Sequence, residues 1–237
     1  MKAPTIVVDD SAEDPQAELW FAEPPGFMPL PLDALLPEPD SQAAHALRTA
    51  AAPFLDSAPD ENVRLQFIAH VASGQQLLAA LREIGTVHCS IGLHRDDVGE
   101  ETDDQRHPLL SFLTVSWREA ATVPRGVLAA RAVTSGSDGA RIEYVELPCG
   151  PATFSESASV PSADSRGLPA RPLLQIRAHL PHPDCKRLAV LTLGTTAVAR
   201  RAEYRAILRQ IAETVSFEKP LGQPPAHNCV VRPPHPG

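Results

Sequence analysis

His179, His182 and Cys185 stand at every third position, and imidazole and thiolate are ligands that zinc favours. The His182-Pro183-Asp184 run between the outer two marks a turn, and a turn can bring its flanks together. A fourth ligand at the spacing of a closed zinc site is missing, so this stretch reads as a polar hairpin tip. His88 and His94 bracket one short segment, and His227 and Cys229 stand among prolines; both pairs are weaker candidates. Asp96, Asp97, Glu100, Glu101, Asp103 and Asp104 crowd another stretch. Calcium takes such oxygens, but the spaced Asp/Asn-Gly pattern of a calcium loop is absent. A solvated loop that docks a basic partner is the expectation there.

The sequence carries no GxSxG elbow, no phosphate-cradling GxxxxGK[ST] loop, no dinucleotide GxGxxG and no HExxH. Serines and nine histidines are scattered along the chain, and a Ser–His pair can still form in three dimensions. Trp20 and Trp117 are candidate ligand platforms, but their strand-like surroundings assign them to packing. Cys89, Cys149, Cys185 and Cys229 form no CxxC pair and are expected as free thiols in a reducing compartment. No catalytic residue, cofactor or metal ligand is therefore assigned.

Apolar residues make up 43% of the 237, which is enough for a sizeable core. Aromatics are only 5%, so that core must be aliphatic. The net charge of −8 argues against broad contact with phosphate backbones or anionic lipid. No apolar run reaches the length of a membrane span, and the first residues lack a signal peptide's hydrophobic segment. The expectation is a cytoplasmic protein with no membrane insertion. Abundant Ala, and Arg in excess of Lys, point to a GC-rich genome of actinobacterial type.

These residues need a scaffold. Residues 1–17 read as a disordered acidic tail, 18–217 as a single α+β domain and 218–237 as a Pro-rich tail. Leu19 to Ala22 suits a short strand. Glu23 to Leu32, broken by prolines, suits an edge strand or extended segment docked by Phe27, Met28, Leu30 and Leu32. Ala43 to Leu55 reads as a helix. Asp60 to Ile84 reads as the strongest one, with Phe67, Val71, Gly74, Leu78 and Leu81 in one stripe and Gly85 as its stop. Alternation predicts a half-buried strand over 86–93, and apolar residues on both faces predict a central one over 109–117. Segments 128–133 and 141–147 flank an Asp-Gly turn and read as a hairpin, and 151–171 reads as a long loop.

The last third is the clearest. Leu174, Ile176, Ala178 and Leu180 alternate with polar residues; Leu188 to Leu193 is apolar throughout; Val198 to Thr214 is helical, with Tyr204, Leu208, Ile211 and Val215 on one face. This order is a strand, a Pro-Asp turn, an apolar strand ending at Thr195, a helix with Tyr204, and a closing Ile211-Ala212-Glu213-Thr214-Val215-Ser216-Phe217. It resembles the C-terminal half of PsbP-like domains, and Gly26-Phe27 before Pro-Leu-Pro-Leu is similar to that family's entry strand. The resemblance covers about 45 residues well. It implies an antiparallel sheet flanked by helices, an α/β/α sandwich, and a non-catalytic role.

The expected function is binding or assembly through contacts with an unknown protein partner. A small hydrolase without a sequence signature and a small-molecule carrier are the alternatives.

Overall fold

The computed structural model of the protein describes residues 19–94, 109–134, 141–159 and 172–218. The two predicted tails, the acidic stretch 95–107, the Asp-Gly turn, and His227 with Cys229 lie outside these residues, apart from Glu218.

The elements in order are β1 (Phe27–Pro29), α1 (Leu32–Leu35), α2 (Gln42–Asp56), α3 (Glu61–Glu83), β2 (Thr86–His94) and β3 (Leu109–Glu119). Then follow α4 (Arg125–Thr134), β4 (Arg141–Leu147), β5 (Gly150–Ser159), β6 (Leu173–Pro181), β7 (Arg187–Thr195) and α5 (Arg201–Glu213), the last preceded by a 3-10 turn (Val198–Arg200). The strands form one seven-stranded antiparallel sheet in the order β1-β2-β3-β7-β6-β5-β4. This is the α+β class expected, with β3 and β7 central and the proline-bearing β1 at an edge. Pro29 is tolerated there because an edge strand leaves one row of backbone groups unpaired.

Strand alternation gives the sheet two faces. On the first, the register sets Leu113 beside Leu193, Val115 beside Leu191, and both leucines beside Ile176 and Ala178 of β6. α5 lays Tyr204, Leu208 and Ile211 across this floor, and Leu19, Phe21 and Val215 close its margin. Each large side chain buried there contributes about 1.5–3 kcal/mol. On the second face, α4 packs Leu128 on Leu188 and Val190. The other helix on this side, α3, begins at Asp60, whose carboxylate accepts the Val63 amide at 2.9 Å. It stops at Gly85, whose φ of +83° is costly for other residues and whose missing Cβ makes room for the Trp117 carbonyl.

Five sequence expectations change. Residues 128–133 are helical, in α4. Leu128, Ala129, Ala132 and Val133 fall on one side of a helix that starts after Pro124, and burial of that side outweighs a pattern too short to distinguish strand from helix. The predicted partner strand over 141–147 exists as β4, but it pairs with β5. β5 in turn occupies the start of the predicted 151–171 loop. Its inward residues are Ala152 and Phe154, and the short run, with Thr153 between them and Ser155 after, hides the alternation. Leu19 to Ala22 is not a ladder strand: Trp20 only exchanges backbone hydrogen bonds of 2.9 and 2.8 Å with Ser216. Finally, α3 forms over the predicted span, but Leu78 is its one buried residue, and Val71 of the predicted stripe is exposed.

Candidate functional site

The second face of the sheet is where polar side chains converge. Alternation that sends Leu174, Ile176, Ala178 and Leu180 of β6 to α5 turns Gln175, Arg177 and His179 the other way. The same logic places Thr114, Ser116 and Arg118 of β3 and Thr192 of β7 on this face. Register makes the convergence specific. Thr192 lies opposite both Thr114 and Arg177, and Val190 lies opposite both Ser116 and His179. α4 contributes Ala132 on one side, and the end of α3 contributes Leu81 and Ile84. An open cavity of about 440 Å³ lies above this floor, within the size range of small-molecule sites.

The floor is built for hydrogen bonding. Thr114, Ser116 and His179 are buried and Arg177 is half-buried. The Arg177 guanidinium donates from Nη2 to Gln175 Oε1 at 2.7 Å. Neither Arg177 nor Arg118 has a carboxylate partner among the described residues, and none of the described lining residues is acidic. The apolar part of the lining is Leu81 and Ile84 from the end of α3 and Leu188 and Val190 of β7.

His179 is the one histidine among the described lining residues. Burial, helped by the Arg177 charge, lowers its pKa to about 4, so the ring is neutral at pH 7. Its Nε2 lies 3.3 Å from Ser155 Oγ, and its Nδ1 is buried with no hydrogen-bond partner. A Ser–His pair therefore does form. Its geometry is poor for nucleophilic catalysis, because no acid at Nδ1 orients the ring or stabilises its cation. A base of pKa about 4 beside a guanidinium is also a weak proton acceptor at pH 7.

The zinc candidates are not brought together. His179 faces the cavity, while His182 stacks edge-on with Trp117 and Phe217 at 5.7 and 5.0 Å and makes a 3.0 Å contact with Asp184. Cys185 turns its thiol to the Pro183 carbonyl. Among the described residues, no group of three or more His, Cys, Asp or Glu is placed to hold a metal. Trp117 packs at the edge of the main core with the Arg187 guanidinium over its ring, and Trp20 is half-buried. Cys89, Cys149 and Cys185 are free thiols; burial, then the Glu23 charge, raises Cys89 to about 11, which makes it a poor nucleophile.

His88 and His94 have separate roles. His88 Nε2 and the Ser90 hydroxyl both meet Glu23 Oε1, at 2.9 and 2.5 Å, in a buried cluster that ties the N-terminal segment to β2. His94 contacts Ser111 at 3.0 Å, and burial lowers its pKa. Sequence reading missed the Glu23 cluster because 65 residues separate its carboxylate from His88. It also missed the cavity. The polar half of β6 was visible as the complement of an apolar face, but which strands flank it was not.

No helix among the described residues is long and apolar enough to cross a membrane. A scan against protein-family models finds no match, and comparisons with curated proteins and with solved structures also find none.

Proposed function

We propose that the protein is a non-catalytic binding protein that holds a ligand in the cavity between α3 and α4. The observation that carries this reading is the polar floor under that cavity. Thr114, Ser116, Gln175, Arg177, His179 and Thr192 offer hydrogen bonds from three adjacent strands. Such a rigid, pre-formed set favours binding because little ordering is required of the protein. The cavity's mixed polarity differs from the deep apolar pocket expected of a simple hydrophobic carrier.

The second reading is assembly through protein contacts, and α3 favours it. Val63, Leu65, Ile68, Val71 and Leu77 are all exposed along this 23-residue helix. Exposed apolar surface of this kind marks interaction sites.

Titration with the neutral fluorescent dye Nile red separates the two. Cavity binding predicts a saturable site that weakens at least about tenfold in Ala132→Trp and Thr192→Phe, which fill the cavity from its wall and floor. Unchanged binding in filled variants that still melt cooperatively, with loss in Val71→Glu, would move the function to α3.

A further inference from the structure

We infer that the cavity takes a small amphiphilic organic anion, with its carboxylate or phosphate group on Arg177 and its hydrocarbon part against Leu81, Ile84, Leu188 and Val190. This rests on the reading of the cavity as a binding site and names the class of ligand that fits it.

Charge is the first argument. The chain carries a net −8, yet the described residues lining this cavity include two guanidiniums and no carboxylate. A concave, partly desolvated surface focuses the field of such charges and concentrates anions there. Arg177 is half-buried, held in place by Gln175, and has no anionic partner among the described residues. A guanidinium in that state has N–H donors left for a planar or tetrahedral oxyanion, the group that its fork geometry matches best.

His179 supplies an independent argument. The residue lines the same cavity, and its Nδ1 is buried with no hydrogen-bond partner among the described residues. With the proton on Nδ1, Ser155 donates to Nε2 and the ring offers an N–H to a ligand oxygen. Buried polar atoms without partners are uncommon, and a bound oxygen would satisfy this one. Thr114 and Thr192 add hydroxyls on the same floor, while the Ser116 hydroxyl is paired with Thr86 Oγ1 at 2.9 Å.

Size and polarity set the rest of the molecule. A cavity of about 150 Å³ accepts one benzene ring, and this one is about 440 Å³. An anionic head alone would leave the apolar part of the lining uncovered. A chain or ring system of intermediate size covers it and removes that apolar surface from water. The small dimensions and the net negative charge both disfavour a nucleic-acid polyanion.

Calorimetric titration of the full-length protein with octanoate, octyl phosphate, 1-octanol and acetate tests this. Octanoate or octyl phosphate should saturate one site. Octanol, which lacks the charge, and acetate, which lacks the chain, should each bind at least about tenfold more weakly. Arg177→Gln should cut affinity for the anions at least about tenfold and leave octanol unchanged, the scale expected for one charge-assisted hydrogen-bonded contact. Arg141→Gln, a surface control away from the cavity, should have no effect. Equal binding of octanoate and octanol, or no effect of Arg177→Gln, would overturn the anion assignment while leaving cavity binding intact. Equal binding of acetate and octanoate would overturn the amphiphile. Failure of all four compounds to bind would overturn both the ligand class and the cavity as a binding site.

Discussion

Arg177 and His179 stand two residues apart on β6, on the same face of the sheet, and the guanidinium charge adds to burial in keeping the imidazole neutral. The relationship follows from the period of a strand: residues i and i+2 point the same way, so a cation at one position disfavours a proton at the other.

It predicts a pH dependence of stability. The folded pKa of His179 is about 4, against 6.5 for an unperturbed histidine. Between these values the unfolded chain binds the proton and the folded chain does not. The contribution is therefore fully present above 6.5 and is lost as pH falls toward 4. Urea unfolding at pH 6.5 and pH 5 should differ by about 1.5 kcal/mol from this residue. His94, also lowered by burial, acts in the same direction. His179→Gln should flatten most of the slope, and an unaltered slope would remove His179 from the account.

The helix on the opposite face makes a sharper test of packing. Leu208 is fully buried between α5 and the sheet. Leu208→Ala should cost about 2–5 kcal/mol through lost transfer energy and a residual cavity. Gln210, exposed on the same helix, should lose no more than about 0.5 kcal/mol on replacement by Ala. Its neighbour Arg209 is unsuitable as a silent control, because it bonds Glu143 at 2.7 Å and lies over the Phe154 ring. Similar small losses at 208 and 210 would mean that α5 does not cover the core.

Glu23 gives the third test. At 2% exposure, it is the shared acceptor for His88 and Ser90. Glu23→Ala leaves both donors facing an apolar gap and should cost about 2–4 kcal/mol. Glu23→Gln keeps one acceptor oxygen and should recover part of it. A loss under about 0.5 kcal/mol in Glu23→Ala would mean that the cluster does not anchor the N-terminal segment.

How far the sequence led depends on the kind of signal. The β6–β7–α5 unit was legible because alternation, a short turn and a helical stripe all agree there, and a short turn permits only antiparallel pairing. The 128–133 segment was not, since its five apolar residues, broken only by Arg131, fit either period and only packing on Leu188 and Val190 decides. β5 was hidden because Thr153, on the face opposite Phe154, is buried under α4 and satisfies its hydroxyl on the Ala129 carbonyl at 2.8 Å, a solution that composition does not reveal. The cavity was least legible of all. Arg177, Thr192 and Thr114 become neighbours through the β6-β7-β3 order, and strand order is a property of the whole chain.

The most direct measurement is a methyl-resolved NMR titration of the protein with octanoate. Cavity binding predicts that the largest shift changes fall on the methyls of Leu81, Ile84, Leu188 and Val190, with Val63 and Val71 of α3 and Leu208 of α5 nearly unmoved. Changes centred on Val63 and Val71, or spread evenly over the molecule, would contradict a ligand site between α3 and α4.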